Sequence, residues 1–397
     1  MGDAVIVSTA RTAIGTARRG SLVDFDAFDL AKFAIQESLK RSGIPVDDVD
    51  DIVLGEVLQG GGDIARYVAV ELGMLEVPGL AHNRHCASSL ASVQSAAASI
   101  KAGMDRVVIA GGAESLTQSP QVFKKQKGSY SGVMPWLSPS HRATPEAPDR
   151  DMSITVGWNT AQKCGITREE QDEWAYHSHL RAIAATDEGR FRDEIFAVDV
   201  PVNPGQGVKG ETRVFDADEH PRRDTTLEKL AALPVLHPEI PGFSITAGNS
   251  SGINDASCAM VLCDSDYAAG NGLEPLAIVR SWASAGVAPA DTGLGPTVAV
   301  PKALARAGLD TKDVALVEIN EAFASMAVAS SRILGFSHEI VNVNGSGCSL
   351  GHPVAATGAR MVTTLIHELR RRGGGIGVAT MCAGGGMGSA TVIEVPA

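Results

Sequence analysis

Hydrophobic and polar positions divide the chain into two kinds of segment. Short apolar runs with β-branched residues, such as AVIVS near the N-terminus, DIVLGEVL and RVVIAGG, are typical of buried strands. Longer amphipathic segments lie between them and predict helices at 27–41 and near 64–72. The alternation indicates an α/β protein with a buried sheet.

The same order of segments returns in the second half. The runs PLAIVRSWAS, VALVEIN, IVNVNG and GIGVATM predict strands, and helices are expected near 296–306, 321–334 and 355–371. In each half a polar turn leads to a helix rich in small residues and then to a strand that ends in glycines. We expect two copies of one unit, with helices packed closely between two sheets because Ala and Ser let backbones approach.

The stretch 116–244 interrupts this order. It contains prolines, the basic run KKQK at 124–127, and the capping-box pattern TREE at 167–170. We interpret it as an inserted loop domain. The predicted division is a first half at 1–117, completed by about 245–268, a loop domain at 118–244 and a second half at 269–397.

Composition and charge argue against some classes of function. The 397 residues include 34 basic and 46 acidic side chains, a net charge of -12, so a broad cationic face for nucleic acid is not expected. An anionic ligand must therefore be met locally. No run approaches about 18 apolar residues, so no membrane-spanning helix is expected. The N-terminus has neither a secretory nor a transit pattern.

The six cysteines include no CxxC pair, which argues against a zinc site and against a dense disulfide framework. Reduced thiols in a cytoplasmic protein, with no bound metal, are the expectation.

Cys86 lies in NRHCASSLASVQ, where a helix of small residues is expected to begin. The positive end of a helix dipole stabilises a thiolate and favours a nucleophile near neutral pH. The alternative is a buried, unreactive cysteine. Ser88 or Ser89 could equally be a nucleophile, but neither lies in a GxSxG elbow.

His352 and Asn320 are two further candidates. His352 lies between a glycine and Pro353, which is placed to start a helix, so its ring suits a base or an oxyanion donor. Asn320 follows the strand VALVEI, where ligands bind in parallel sheets, and could hold a water or an acyl oxygen. The alternatives are a surface histidine that caps a helix, and an asparagine that caps the next helix.

Cys382 lies in MCAGGGMG, which could be a phosphate loop, a linker or a tight turn. The stretch has neither the GxGxxG spacing nor the GK[ST] ending of nucleotide loops. Glycines after a cysteine let the backbone come close and free an N–H group for an oxyanion hole. We therefore predict a cysteine presented on a tight turn.

The motifs CASSL, NEAF, GHP and CAGGG, together with ARTAIG, AGGAES and TAGNSSGINDA, resemble the thiolase family over nearly the whole chain. The resemblance implies two βαβαβαββ halves in a layered α/β/α/β/α core. It implies that Cys86 takes the acyl group, His352 activates it, and Cys382 is the acid and base. Asn320 would position a water, and the N–H of Gly384 would complete an oxyanion hole with that of the nucleophile.

The implied activity is reversible acyl transfer between coenzyme A thioesters, as cleavage of 3-ketoacyl-CoA or as condensation. The family uses no metal or prosthetic group, and a homodimer or homotetramer is expected. The resemblance places Arg222 near the nucleotide, with Arg223 as an alternative, and Ala247 and Ser251 at the pantetheine arm. It also assigns substrate binding to two apolar side chains, Met152 and Phe323.

The chain departs from the family at several points. Ser89 and Ala355 stand where glycine is common, and both add bulk near the thiols. The segment DMSITVGWNTAQKCGI aligns only with a one-residue ambiguity around Met152. Cys348 is an additional thiol, inert or oxidisable. Three alternatives remain: a divergent sterol-carrier-type thiolase with bulky substrates, a non-catalytic acyl-CoA-binding protein and a thiol redox protein.

Overall fold

The computed structural model describes residues 2–208 and 210–397. The first part of the chain contributes strands and helices in alternation, with a short 3₁₀ turn at Val46–Asp48. The strands are β1 (Ala4–Thr12), β2 (Gly15–Thr16), β3 (Asp51–Gly55), β4 (Gly79–His82) and β5 (Val107–Ser115), and the helices are α1 (Ala27–Ser42), α2 (Ile64–Glu71) and α3 (Ser88–Lys101).

The middle of the chain forms short elements around one long helix. The strands are β6 (Phe123–Lys125), β7 (Val133–Pro135), β8 (Ile195–Phe196), β9 (Val198–Pro201) and β10 (Thr212–Phe215). A π-helix at Ser153–Trp158 precedes α4 (Asn159–Cys164), α5 (Arg168–Asp187) and α6 (Leu227–Ala231). The capping box predicted at 167–170 is confirmed, because Thr167 and Glu170 bond each other's backbone N–H at the start of α5.

The last part repeats the strand and helix order. Its strands are β11 (Asn254–Asp264), β12 (Ala277–Gly286), β13 (Val314–Ile319), β14 (Gly375–Ala383) and β15 (Met387–Val395). Its helices are α7 (Ser265–Gly270), α8 (Gly295–Ala307), α9 (Ala324–Leu334), α10 (Gly347–Leu350) and α11 (Thr357–Arg371), with 3₁₀ turns at Pro289–Leu294 and Thr311–Asp313.

The main strands form two half-sheets with the same order. The first runs β4-β3-β5-β11-β1, and the second runs β13-β14-β15-β12, with a single bridge from Val317 to Val341 in the place that β4 takes in the first. The predicted duplication is confirmed. The half-sheets join through two residue pairs, Val5 with Ile278 and Ile6 with Ala277, so the strand order is continuous between them. The domain division expected at 117, 244 and 268 stays a prediction.

The helices form layers around the half-sheets. Helix α1 packs on the outer side of the first half-sheet and α8 on that of the second, while α3 and α11 contact each other between them. A Cβ on Gly358 would lie 2.5 Å from the backbone nitrogen of Leu90, so these two helices meet backbone to backbone. The layered α/β fold class is confirmed, and the middle layer brings the starts of α3 and α11 together.

Two predicted helix starts near the candidate site are wrong by a few residues. Helix α11 begins at Thr357 rather than near 355, because Pro353 starts a separate turn whose carbonyl accepts the N–H groups of Ala356 and Thr357. Helix α9 begins at Ala324 rather than 321. In the part of the chain that the structure describes, no helix has the length and apolar character needed to cross a bilayer.

Candidate active site

Cys86 follows a tight turn directly before helix α3. His85 has a φ of 47°, an uncommon value for a residue other than glycine. Its N–H donates to Oδ1 of Asn83 at 3.0 Å, and its carbonyl accepts the N–H and the hydroxyl of Ser88 at 3.0 and 2.7 Å. These contacts hold the left-handed residue in place and present Cys86 two residues before the helix.

Ser88 and Ser89 are fully buried and their hydroxyls are engaged elsewhere. The Ser88 hydroxyl closes the turn, and Oγ of Ser89 accepts the N–H of Ala359 in α11 at 3.0 Å. The extra bulk of Ser89 therefore ties the two middle helices together. These contacts favour Cys86 over either serine as the nucleophile.

Two backbone N–H groups, those of Gly384 and of Cys86 itself, favour the thiolate form of Cys86 and lower the pKa of its thiol. Burial raises the pKa of the Cys86 thiol to about 11, and the two N–H groups offset only part of this rise. The expectation of a thiolate near neutral pH is therefore wrong for this structure. Desolvation outweighs the helix end, and the thiol needs a base.

Cys382 is buried near the end of β14, opposite Gly388 of β15. Gly385 and Gly386 have φ values of 86° and 83°, which lets the chain reverse directly after the cysteine. Burial raises the pKa of the Cys382 thiol well above its usual range, and a negative charge on Cys86 raises it further. The turn thus brings the second thiol within electrostatic reach of the first.

His352 is a buried, neutral imidazole with a defined tautomer. Its Nδ1 lies 2.7 Å from the hydroxyl of Thr357, and that hydroxyl donates its proton to the carbonyl of Pro353 at 2.9 Å. The proton between the ring and Thr357 is therefore on Nδ1, which leaves Nε2 as an acceptor. Burial, together with the charge of Arg360, lowers the pKa of His352 to about 3. A surface capping role does not fit these contacts.

Asn320 lies at the end of β13, next to His352. Its side-chain nitrogen is 3.4 Å from Nε2 of His352, and its Oδ1 is buried without a hydrogen-bond partner among the described residues. Its N–H donates to the carbonyl of Thr380 at 3.0 Å, two residues before Cys382. The capping alternative is wrong, because α9 starts after Phe323 and has no side-chain cap.

Glu114 bonds the turn that carries His352 and acts electrostatically on Cys86. Its carboxylate accepts the N–H of Ala355 at 3.0 Å and the side-chain amide of Gln59 at 2.8 Å. Burial raises the pKa of Glu114 to about 7, and its negative charge raises the pKa of Cys86. Sequence reasoning assigned no role to Glu114, although it lies in the quoted motif AGGAES.

A separate cavity of about 200 Å³ contains part of the predicted coenzyme A site. Arg222, Ala247 and Cys348 are among its lining residues, whereas Ser251 is not. Arg223 pairs with Asp187 at the surface, so Arg222 is the arginine that faces the cavity. Cys348 is fully buried and burial raises the pKa of its thiol. Of the two alternatives for this thiol, these observations favour an inert thiol over an oxidisable one.

Met152 and Phe323 pack into one apolar cluster with Cys382. Met152 directly precedes the π-helix, in which the N–H of Asn159 bonds the carbonyl of Ile154. A π-helix contains one more residue per hydrogen-bonded turn than an α-helix, and it begins directly after Met152, the position of the one-residue ambiguity. A Cβ on Gly157 would lie 3.0 Å from the ring of Phe323, so the π-helix backbone forms a wall against that ring.

Thr357 is a second residue of the candidate site to which sequence reasoning assigned no role. A hydroxyl residue five positions after a histidine is too common a pattern to single out, and only the turn at Pro353 brings the two together. Within residues 2–208 and 210–397, no three or more His, Cys, Asp or Glu side chains are grouped so that they could hold a metal ion.

The duplicated half-sheets, with one thiol directly before α3 and a second near the end of β14, define the class of the protein as a layered α/β fold with two cysteines beside its middle helices. The chain belongs to the thiolase family: "Thiolase, N-terminal domain" matches residues 4–266 and "Thiolase, C-terminal domain" matches residues 273–395.

Similar proteins agree over the whole length. The chain is 40% identical to a 3-ketoacyl-CoA thiolase of Bacillus subtilis, covering 100% of both, and 41% identical to an acetyl-CoA acetyltransferase of Escherichia coli, covering 99% of both. Among solved structures it resembles human mitochondrial 3-ketoacyl-CoA thiolase with a TM-score of 0.90 at 35% identity, covering 100% of this chain and 99% of the other. These findings support an acyltransferase over the sterol-carrier-type, non-catalytic and redox alternatives.

Proposed function

We propose that the chain transfers acyl groups between coenzyme A thioesters through an acyl-Cys86 intermediate. The observation that carries the proposal is the thiol of Cys86 directly before α3, which the backbone N–H groups of Gly384 and Cys86 favour as a thiolate and which interacts electrostatically with Cys382. We assign the same two N–H groups to the oxyanion that forms on the carbonyl oxygen when the sulfur of Cys86 attacks a thioester.

In the first half-reaction Cys86 gives its proton to Nε2 of His352 and its sulfur attacks the thioester carbonyl. The carbon–sulfur bond to coenzyme A breaks, and the departing thiolate takes a proton from Cys382. The products are acyl-Cys86, an imidazolium and a Cys382 thiolate. The neutral tautomer of His352, with Nε2 free to accept, supports its role as the base.

In the second half-reaction the Cys382 thiolate removes a proton from the α-carbon of an acyl-CoA. The enolate oxygen is stabilised by the imidazolium of His352 and by a water on Asn320, whose unpartnered Oδ1 supports this role. The α-carbon attacks the acyl carbonyl, and the bond to Cys86 breaks. The Cys86 thiolate then recovers its proton from His352, and cleavage of 3-ketoacyl-CoA is the reverse sequence.

Coenzyme A is proposed to enter as a substrate, and the proposed steps need neither a metal nor a prosthetic group. Arg222 and Ala247 are proposed contacts because both line the cavity near Cys348. Ser251 stays a weaker proposal at the pantetheine arm. A cytoplasmic location is proposed because all six cysteines are free thiols.

The test is mass spectrometry after the protein is mixed with acetoacetyl-CoA. We expect an acetyl group on the peptide that contains Cys86, absent in Cys86→Ser. Cys164→Ser is the matched control, since Cys164 is also half-buried, and it should be labelled like the wild type. No label, or a label on Cys382 or Cys348, would contradict the proposal.

A homodimer or homotetramer is also proposed. The hairpin β6–β7 exposes Phe123, Tyr130 and Val133, and β4 is the edge strand of the sheet with Leu80 exposed. A cavity of about 990 Å³ lies between these two elements. Exposed apolar side chains beside an open strand edge favour association with another copy. Light scattering should give a multiple of 41.2 kDa, and the monomer mass would contradict this.

A further inference from the structure

Glu321 is a buried carboxylate beside Asn320 that the proposed chemistry does not use. Its Oε1 accepts the indole N–H of Trp174 at 2.9 Å and the side-chain amide of Asn342 at 2.8 Å. Its Oε2 accepts the hydroxyl of Ser178 at 2.7 Å and the N–H of Cys348 at 3.0 Å. Each oxygen therefore has two donors, which is the full capacity of an ionised carboxylate.

These donors come from three separate segments. Trp174 and Ser178 lie one turn apart on α5, Asn342 follows the bridge beside β13, and Cys348 lies in α10. Asn342 also brackets the end of β13, because its side chain bonds both the N–H and the carbonyl of Ile319. The carboxylate of Glu321 thus connects the end of β13 with α5 and α10.

The connection bears directly on Asn320. A Cβ on Gly347 would lie 2.7 Å from the carbonyl oxygen of Glu321 and 3.0 Å from Oδ1 of Asn320, so α10 packs on this corner at backbone distance. His352 has its own supports, since its ring bonds Thr357 and its N–H bonds Oδ1 of Asn254 at 3.1 Å. Loss of the Glu321 contacts should therefore displace Asn320 more than it displaces His352.

Helix α5 also contacts the cavity that Arg222 lines, so it joins that cavity to the Glu321 carboxylate. His179, the neighbour of Ser178, accepts the N–H of Arg222 at 3.2 Å, and both residues line that cavity. Two successive residues of one helix therefore contact the cavity wall and the Asn320 corner.

We infer that Glu321 is a positioning residue that holds Asn320 at the enolate site, and that α5 links this corner to the coenzyme A cavity through Ser178 and His179. The inference rests on the proposed function. It assigns Glu321 to the carbon–carbon step rather than to acylation, because the N–H groups that act on Cys86 belong to the β14–β15 turn and to Cys86 itself.

The experiment compares Ser178→Ala with Ser330→Ala in the intact enzyme. Ser178→Ala removes one donor from Glu321, whereas Ser330 is a buried serine whose hydroxyl has no partner among the described residues. Two rates are measured: acetylation of Cys86 by acetyl-CoA, and uptake of solvent deuterium into the methyl group of acetyl-CoA. Glu321→Gln is the stronger variant. The amide replaces one carboxylate oxygen by an N–H₂ group, so two of the four hydrogen-bond donors to Glu321 lose their acceptor.

We expect Ser178→Ala to slow deuterium uptake by about 10-fold, and Glu321→Gln by about 100-fold, with acetylation within about threefold of wild type. Ser330→Ala should leave both rates unchanged. Equal losses in both rates, or no loss in Ser178→Ala, would overturn the inference. If the wild type itself is not acetylated, the proposed function fails instead, so the two failures are distinguishable. Ser178→Ala decides the case if Glu321→Gln does not fold.

Discussion

The hydroxyl of Thr357 lies 2.7 Å from Nδ1 of His352 and donates a hydrogen bond to the carbonyl of Pro353. One threonine therefore fixes both the tautomer and the orientation of the proposed base. Because the same turn precedes α11, the helix start and the base are set by one short segment.

Thr357→Val should reduce kcat by about 10- to 100-fold, because valine has a similar shape but cannot accept the Nδ1 proton. Thr357→Ser retains the hydroxyl and should keep most of the activity. Steady-state kinetics of acetoacetyl-CoA cleavage decide between them. Equal activity of the two variants would mean that the tautomer of His352 is fixed elsewhere.

Acid should destabilise the protein partly through His352. Its pKa falls from 6.5 to about 3 on folding, so the unfolded chain binds a proton between these values that the folded chain does not. The stabilising contribution is complete above pH 6.5 and is lost as the pH falls. His352→Gln should therefore lose less free energy of unfolding on acidification, by about 1.4 kcal/mol per pH unit.

Urea unfolding at pH 6.5, 5.5 and 4.5 measures this difference. His179 and His220, whose pKa values burial lowers to about 4, remain in the variant and retain part of the acid dependence. An identical slope in both proteins would show that His352 is protonated in the folded state.

Cys382→Ala should separate the two half-reactions. We expect acetyl-CoA still to acylate Cys86, although more slowly, because the main task of Cys382 is to move the α-proton. Uptake of solvent deuterium into acetyl-CoA should vanish. Exchange at the wild-type rate would identify another group as the base.

Arg222→Ala should raise the KM for coenzyme A by about 5- to 10-fold, since Arg222 lines the cavity. Arg223→Ala is the matched control, because Arg223 is paired with Asp187 at the surface and should change KM less than about twofold. The difference should shrink at high salt. A larger effect at Arg223 would reverse the assignment.

Gly157→Ala should raise the KM for acetoacetyl-CoA by roughly threefold or more, because the added Cβ would lie 3.0 Å from the ring of Phe323 and displace it. Gly270→Ala is the control, since a Cβ there meets nothing within 4 Å. An unchanged KM in Gly157→Ala would show that Phe323 does not line the substrate pocket.

The sequence predicted the larger features because they depend on periodicity. The two halves, the alternation of strands and helices and the capping box at Thr167 follow from apolar spacing and local hydrogen bonding. The motifs also located Cys86, His352 and Cys382 at turns.

What the sequence could not predict depends on burial and on long-range contacts. The dipole argument for a Cys86 thiolate failed because desolvation acts in the opposite direction and is larger. Glu321 accepts hydrogen bonds from Ser178 and Cys348, which lie 143 and 27 residues away along the chain. No local sequence pattern could reveal these contacts. The edge pairing of Val5 with Ile278 likewise joins residues from different halves.

The π-helix at 153–158 determines how a change in chain length is absorbed. One residue added to an α-helix turns everything after it by about 100°. A π turn absorbs that residue locally, so the following helix α4 keeps its phase. Helix α5, whose Trp174 and Ser178 donate to Glu321, starts anew after the left-handed turn at Gly165. An insertion can therefore reshape the wall beside Phe323 while the buried corner stays fixed. A change at this segment can therefore act through chain length as well as through residue identity.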